Sequence, residues 1–210
     1  MPERARRGRL NRDDVEILSQ GPAYRGYFRI DRIRLRHRLH AGGWSAPIVR
    51  EVFERGHAAA LLPYDPVADR VVLLEQFRIG AWSAGGGPWL VEIPAGVIEP
   101  GETPEAVARR ETAEETGCRP SDLLHVCDYL PTPGGASETV SLYCGRVDSS
   151  GVGGIHGNAE EVEDILAYSV PFAEVREGLE SGAYANGITL IALQWLALNR
   201  DRLRSRWTGD

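Results

Sequence analysis

The clearest potential for chemistry in this chain lies in three glutamates that are close together in the sequence. Glu111, Glu114 and Glu115 are three and four positions apart, so a helix would place their side chains on one face. Like charges at this spacing repel each other by roughly a few tenths of a kcal/mol per pair, a cost that a bound cation would remove. Carboxylate oxygens suit Mg²⁺ or Mn²⁺ better than zinc. Taken alone, such a run is more often a solvated acidic helix face.

The residues around these glutamates predict a short helix that follows a tight turn. A Pro-Gly pair ending at Gly101 is suited to a type II turn, and Thr103 is a suitable N-cap. Pro104 would occupy the first helical position, where its missing N–H costs nothing. Gly117 can adopt the left-handed conformation that ends a helix. We therefore predict that a strand over residues 89–94 leads through this turn into a helix that stops before Gly117.

The whole pattern resembles the Nudix box, the motif of the nucleoside diphosphate-linked-moiety hydrolases. Every fixed position of the motif is filled, and chance would produce such a match at a rate on the order of 10⁻⁹ per starting position. Thr112 and Cys118 stand where the motif has bulky aliphatic residues, which affects packing more than chemistry. The fixed positions are Gly96, Glu102, Arg110, Glu111, Glu114, Glu115 and Gly117.

A second acidic group follows a glycine-rich stretch over residues 148–158. By composition alone this stretch is a solvated surface loop. Beside a Nudix box, however, the resemblance implies that such a loop supplies a further metal ligand, Glu163, and a general base that activates water, Glu161. It also implies Glu102 and Arg110 as a charge pair that braces the box loop, with Gly96 and Gly117 as structural positions. The implied metal ligands are the Ala95 carbonyl, Glu111, Glu115 and Glu163, with Glu114 as a secondary candidate.

Over most of its length the chain resembles the bacterial ADP-ribose pyrophosphatase branch of this family. The segments ERGHAAALLPYDP, VVLLEQFRIGA and PGGASE occur in the same order as in that branch. Pro133 lies where a proline beyond the box marks specificity for ADP-ribose, although a rigid turn would also explain it. The resemblance implies a homodimer that hydrolyses ADP-ribose to AMP and ribose 5-phosphate, with Mg²⁺ or, in its place, Mn²⁺ as cofactor.

The resemblance also suggests substrate contacts. Arg78 would meet a substrate phosphate, although an arginine at a strand end is often only solvated. Tyr27 or Phe28 would stack on adenine, aided by Arg50 of the other subunit if the N-terminal strands are exchanged across the dimer, although an aromatic residue on an alternating strand more often belongs to the core. Gly134, Gly135 and Glu138 would shape the ribose side, with a purely structural loop as the alternative.

Composition excludes several classes of function. The net charge is −6, which argues against a protein that binds nucleic acid or anionic membranes in general. No lysine occurs in the sequence, so Schiff-base chemistry and a P-loop lysine are excluded. Three cysteines without CxxC spacing indicate free thiols and neither a zinc site nor a disulfide framework. We expect a cytoplasmic protein, because no apolar signal or membrane-spanning stretch is evident.

The N-terminal part predicts a small β subdomain. Residues 1–22 read as a mobile, arginine-rich arm, and residues 24–39 alternate as a strand with a bulge at Asp31. Arginines at 32, 34, 36 and 38 would form its solvated face, which is a more economical interpretation than a nucleic-acid surface. Residues 48–54 would be the return strand.

The remainder predicts an α+β protein, because strands surround the box helix without regular alternation. This agrees with the α/β/α sandwich and mixed sheet of the Nudix fold. We place an arm and β subdomain, for dimerisation, at residues 1–50 and the hydrolase domain at residues 51–210. The predicted strands cover residues 57–62, 70–77, 123–130, 139–147 and 165–170, and the predicted later helices cover 171–180 and 190–204.

Two other functions are compatible with the sequence. The box specifies the pyrophosphate chemistry but neither base nor sugar, so another sugar nucleotide such as GDP-mannose could be the substrate. The chain could also be a sensor that binds ADP-ribose without cleaving it. A sensor usually has a broken box and an added DNA-binding module, and neither feature is evident in this sequence.

Overall fold

The computed structural model describes residues 10–158 and 162–209, which form two compact units. Unit 1 consists of Met1–Arg55 and Thr132–Glu138, and unit 2 of Gly56–Pro131 and Thr139–Asp210. The first boundary follows the end of a strand, whereas the sequence placed it between residues 50 and 51. A short connection from the middle of the chain also belongs to unit 1.

Unit 1 contains an antiparallel sheet of three strands, β1 (Val15–Arg25), β2 (Arg29–His37) and β3 (Ile48–Glu54), in that order. The prediction of an arm over residues 1–22 is wrong for residues 15–22, and residues 1–9 lie outside the described part. Strand β1 escaped detection because it has two register shifts, at Ile17/Ser19 and Pro22/Tyr24, which break the alternation of apolar residues.

The predicted single strand over residues 24–39 is also wrong. A turn at residues 26–28 separates β1 from β2, and β2 pairs with β3 without a bulge from Arg29 to Leu35. The irregularity predicted at Asp31 lies in the ladder between β1 and β2, whose register shifts there, because Pro22 pairs with Asp31 and Tyr24 with Ile30. The Asp31 side chain is buried and forms a salt bridge with Arg29 at 3.0 Å, so a charged residue occupies an inward position of β2.

Unit 2 is built around a mixed sheet of eight strands. Its strands are β4 Ala58–Asp65, β5 Arg70–Phe77, β6 Trp89–Glu92, β7 Ala95–Val97, β8 Asp122–Tyr129, β9 Val140–Arg146, β10 Gly154–His156 and β11 Ile165–Pro171. They run in the order β10-β11-β5-β4-β9-β8, with β6 beside β5 and β7 beside β4. Strand β4 is parallel to β9, and the other pairs are antiparallel.

Four helices complete unit 2 as far as it is described: α1 (Ile79–Ser83), α2 (Pro104–Thr116), α3 (Phe172–Ser181) and α4 (Gly187–Thr208). Alternate residues of β4 separate two cores. Ala59 and Leu61 pack with α2, whereas Ala60 and Leu62 belong to the core that includes α3 and α4. Helices therefore cover both faces of the sheet, which confirms the predicted α/β/α sandwich.

The predicted limits of the box helix are confirmed. Thr103 Oγ1 accepts a hydrogen bond from the N–H of Ala106 at 3.3 Å, and Pro104 opens α2. Gly117 has φ +71°, and Gly101, in the preceding turn, has φ +95°. The three cysteines are free, and no helix among the described residues is long and apolar enough to cross a bilayer.

Candidate active site

The turn that enters α2 is closed by a network around Glu102. One carboxylate oxygen of Glu102 accepts a hydrogen bond from the N–H of Glu99 at 3.0 Å. Arg110, on the second turn of α2, approaches the other oxygen at 3.3 Å. The guanidinium thus fixes the loop to the helix. Its Nη1 also lies 2.9 Å from a carboxylate oxygen of Glu111 and 3.0 Å from one of Glu114.

Glu115 is the most deeply buried carboxylate of α2, with 5% of its surface exposed. Its Oε2 accepts a hydrogen bond from the N–H of Ala95 at 3.1 Å, so the helix and strand β7 meet at this group. Burial, together with the negative charge of Glu111, raises the pKa of Glu115 to about 8. The negative charge of this buried carboxylate is poorly compensated by its surroundings, which favours the binding of a cation.

Glu111 lies one turn earlier, directly against the backbone of Gly96. Burial raises the pKa of Glu111, although the charge of Arg110 opposes this effect. A Cβ atom built at Gly96 would overlap the Glu111 carboxylate. Any larger residue at position 96 would therefore displace the Glu111 side chain. Glu114, by contrast, has a side chain that is 57% exposed, so the structure places it at the rim of this cluster.

Replacing Gly96 with Ala should displace the Glu111 carboxylate while leaving the backbone unstrained, since Gly96 has no positive φ. We expect kcat for the pyrophosphate hydrolysis that the sequence resemblance implies to fall about tenfold to thirtyfold, because small displacements of catalytic groups cost one to two orders of magnitude. Steady-state kinetics checks this. Gly87→Ala, where no atom lies within 4 Å of the added Cβ, is the matched control. Equal activity of both variants would contradict the packing role assigned to Gly96.

The second acidic loop brings Glu163 into the same electrostatic neighbourhood. Its backbone N–H donates to the carbonyl of Asn158 at 3.1 Å, and its carboxylate accepts from the Asn158 N–H at 3.2 Å. The charge of Glu163 contributes to the raised pKa values of both Glu111 and Glu115. Glu161, the predicted general base, lies outside the described residues.

These carboxylates fit a hard divalent cation by their chemistry. In residues 10–158 and 162–209, no three acidic, histidine or cysteine side chains already form a group that could hold a metal ion. Glu111 is engaged by Arg110 and Glu115 by the Ala95 N–H, so cation binding requires these contacts to be exchanged. The raised pKa values of both groups show that their charges are poorly compensated. An all-oxygen donor set of this kind suits Mg²⁺ or Mn²⁺.

The pKa of Glu115 predicts how the metal-free protein responds to pH. Because this pKa is about 8 in the folded state, against an ordinary 4.5, the folded state retains a proton that the unfolded state has lost. The free energy of unfolding should therefore decrease as pH rises from about 5 to 8, by at most about 5 kcal/mol. Mg²⁺ should oppose this loss at pH 8 and above.

Urea denaturation in EDTA at several pH values measures this loss. Glu115→Gln is the comparison variant, because it removes the titrating group but keeps an oxygen for the Ala95 N–H. The pH slope should flatten in this variant. An unchanged slope would show that other groups cause it.

Arg78 directly follows β5 as the N-cap of α1, and its guanidinium contacts the buried carboxylate of Glu92. Arg78 Nη2 donates to Glu92 Oε2 at 2.7 Å. Burial lowers the pKa of Arg78, but Glu92 and the charges of Glu115 and Glu163 raise it by more. Arg78 is therefore in the field of Glu115 and Glu163. Glu92 was not predicted as a site residue, although a charged residue within the apolar run Trp89 to Ile93 was an available signal.

The remaining predicted substrate residues belong to unit 1. Tyr27 is 96% exposed, and Phe28 packs edge-on against Tyr27 and Phe53. Arg50 Nη1 donates to the carbonyl of Val49 at 2.8 Å. Glu138 forms a salt bridge with Arg55 at 3.3 Å. Gly134 and Gly135 lie in a turn next to Pro133, and the carbonyl of Gly135 accepts a hydrogen bond from the N–H of Phe53.

Comparison with known proteins connects this geometry to a family. A family model of the NUDIX domain matches residues 54–187. The ADP-ribose pyrophosphatase of Escherichia coli strain K12 is 47% identical over 198 residues, which cover 94% of this chain and 95% of that protein. The protein of the same name from Haemophilus influenzae is 42% identical over 201 residues, covering 94% of this chain and 93% of that protein.

Two further comparisons concern substrate and fold. GDP-mannose pyrophosphatase of Cronobacter sakazakii is 35% identical over 151 residues, which cover 71% of this chain and 78% of that protein. The crystal structure of an ADP compounds hydrolase superposes with a TM-score of 0.70 at 21% identity, covering 92% of this chain and 96% of that chain. This likeness supports the fold that the sequence predicted.

Proposed function

The chain belongs to the NUDIX family, and we propose that it hydrolyses the pyrophosphate of ADP-ribose to AMP and ribose 5-phosphate with the aid of a divalent cation. The observation that carries this proposal is the 47% identity to an ADP-ribose pyrophosphatase, which extends over 94% of the chain and so includes unit 1. The box is intact, Glu115 is buried and Glu111 packs on Gly96, and these features support hydrolysis of a pyrophosphate.

The residues that would hold the cation are the α2 carboxylates and their neighbours. We assign Glu111, Glu115, Glu163 and the carbonyl of Ala95 to this role, with Glu114 as a secondary ligand because it is largely exposed. When bound, Mg²⁺, or Mn²⁺ in its place, would neutralise pyrophosphate oxygens and lower the pKa of a bound water. The raised pKa values of Glu111 and Glu115 support this assignment.

The protein's own groups then have three tasks. Glu161 accepts a proton from the attacking water, whose oxygen forms a new bond to one phosphorus while the bridging P–O bond breaks. The other phosphate leaves with the bridging oxygen, and attack at either phosphorus gives the same two products. Arg78 donates hydrogen bonds to the phosphate oxygens through the bidentate geometry of its guanidinium. Glu102 and Arg110 keep the box loop fixed to α2.

A GDP-sugar is the second candidate substrate, because the GDP-mannose pyrophosphatase of Cronobacter sakazakii is 35% identical. That match leaves out more than a quarter of the chain, which favours ADP-ribose. A panel of ADP-ribose, GDP-mannose, NADH and a diadenosine polyphosphate tests the choice by kcat/KM. ADP-ribose should exceed each alternative by at least about tenfold. A higher kcat/KM for GDP-mannose would retain the chemistry and reject this substrate.

The alternative that the protein is an ADP-ribose sensor is tested by the first measurement of the same panel. Binding of ADP-ribose without turnover would support a sensor, whereas release of AMP supports an enzyme. The intact carboxylate cluster favours the enzyme, because Glu111 and Glu115 incur desolvation and repulsion that binding alone does not require.

We further propose that the chain is a homodimer associated through unit 1. Strand β1 exposes several large apolar side chains, among them Ile17, which is 51% exposed. Apolar surface of this kind is typical of association sites. Light scattering coupled to size exclusion should give twice the mass of 23.1 kDa, and Ile17→Glu should shift this value toward the monomer. A monomeric wild-type protein would contradict the proposal.

A further inference from the structure

Glu92 is a buried carboxylate that collects hydrogen bonds from three side chains. It lies at the end of β6, is 3% exposed and accepts from Arg78 Nε at 3.1 and 3.2 Å and from Nη2 at 2.7 Å. Gln76 Nε2 donates at 3.3 Å and Asn186 Nδ2 at 2.9 Å. A carboxylate at this depth requires a charged partner and satisfied oxygens, and Glu92 has both.

The contact leaves one end of the Arg78 guanidinium available. Among the described residues, the hydrogen bonds of Arg78 use only Nε and Nη2, both of which point to Glu92. An arginine has five N–H donors in a rigid fork, so the two on Nη1 and the second one on Nη2 remain for another ligand. Glu92, the partner of this guanidinium, lies three residues before Ala95, whose N–H donates to Glu115, so Arg78 and the carboxylate cluster adjoin the same segment of the chain. The charges of Glu115 and Glu163 also raise the pKa of Arg78.

Asn186 fixes the opposite side of Glu92. It is the N-cap of α4, and its Oδ1 accepts a hydrogen bond from the N–H of Thr189 at 3.1 Å. Its Nδ2 donates to Glu92 Oε1, so both ends of the amide are used. Glu92 is therefore held by a helix terminus as well as by the sheet. This makes it a rigid support for a long and otherwise flexible side chain.

We propose that Glu92 is a positioning residue, which holds Arg78 so that Nη1 meets the pyrophosphate of the substrate. The inference rests on the proposed function, because it takes a nucleoside diphosphate sugar as the ligand of Arg78. An arginine side chain has many rotamers, and ordering them before binding lowers the cost of binding. Because this help applies to substrate and transition state alike, Glu92 should act on KM and much less on kcat.

A double-mutant cycle with Arg78 tests the inference. Glu92→Gln keeps the size of the side chain but removes its charge, and it should raise KM for ADP-ribose about tenfold with kcat within about threefold of wild type. Arg78→Ala should raise KM at least as much. In the double variant, Glu92→Gln should add no further increase, since the side chain that it positions is gone.

Three additional measurements separate positioning from folding. Asp65 is another buried carboxylate of unit 2, and it accepts hydrogen bonds from the N–H groups of Ser149 and Val67. Asp65→Asn should therefore lower the unfolding temperature without changing KM. Glu92→Asp keeps the charge but shortens its reach, so it should raise KM even if Glu92→Gln fails to fold. Calorimetric titration with ADP-ribose in EDTA should show the same increases in Kd, which makes the cycle independent of catalysis.

The outcomes are distinguishable. The inference is overturned if KM and Kd stay within about twofold of wild type in both Glu92 variants, or if Glu92→Gln has its full effect without Arg78. If wild type binds ADP-ribose but does not hydrolyse it, the proposed function fails while the Kd cycle still decides on Glu92. If wild type does neither, both are rejected.

Discussion

Replacing Glu115 with Gln is expected to lower kcat for ADP-ribose hydrolysis by at least about 10³-fold, or about 4 kcal/mol. Glu115 is the most buried acid of α2, and its charge is the one that a bound cation would compensate most. The amide retains an oxygen for the N–H of Ala95, so the fold should persist. Kinetics at saturating ADP-ribose and Mg²⁺ measures this loss.

The same substitution should make the metal-free protein more stable near pH 8, because it removes a buried charge. Activity and stability would then change in opposite directions, as expected where a strained site is retained for function. Glu105→Gln is the matched control, since Glu105 lies on the same helix and pairs only with Arg109 within the described residues. A Glu115→Gln variant that retains activity within tenfold of wild type would remove Glu115 from the metal site.

Replacing Glu161 with Gln is expected to lower kcat by about 10²- to 10⁴-fold, the usual contribution of a general base. Its effect on metal binding should be small, because the base acts on water and is not assigned as a ligand. Increasing Mg²⁺ should therefore fail to restore activity. Measurement of kcat across a Mg²⁺ titration, together with the Mg²⁺-induced rise in unfolding temperature, distinguishes these effects.

Two neighbouring variants serve as references for Glu161. Glu160→Gln removes an adjacent charge without an assigned role and should leave kcat within about threefold of wild type. Glu163→Gln should weaken metal binding, so higher Mg²⁺ should recover part of its activity. If Glu161→Gln is rescued by Mg²⁺ while Glu163→Gln is not, the roles of ligand and base must be exchanged.

The limits of the box helix α2 were predicted well from local sequence signals. Thr103, Pro104 and Gly117 each act through the backbone of their own position, so the limits of α2 follow from the sequence. The strands over residues 48–54 and 70–77 were predicted with the bounds that the structure shows, because β5 is a nearly continuous apolar run and β3 is rich in β-branched and aromatic residues. The two-sided cover of the sheet followed from the resemblance.

The features that the sequence did not predict depend on long-range pairing or on irregular backbone. Strand β1 is held by its ladder with β2, and its two register shifts remove the alternating pattern. Strands β7 and β10 have three residues each, too few to show a period. The five residues of α1 are likewise shorter than a helical pattern requires.

The candidate site was predictable only in part for a related reason. Glu111 and Glu115 are identified by their spacing on one helix. The contact between Glu92, Arg78 and Asn186 instead joins two strands to the start of α4, with Asn186 94 positions after Glu92. The need for glycine at residue 96 follows from the Glu111 carboxylate, which only the folded structure brings against it.

The most direct test of the central claim is product analysis of ADP-ribose incubated with the purified protein, with Mg²⁺ and with excess EDTA. Chromatography with phosphate-specific detection should show AMP and ribose 5-phosphate in equal amounts with Mg²⁺, and unchanged ADP-ribose in EDTA. Equal turnover in both reactions, or products other than these two, would contradict a cation-dependent hydrolysis of the pyrophosphate by the carboxylates of α2.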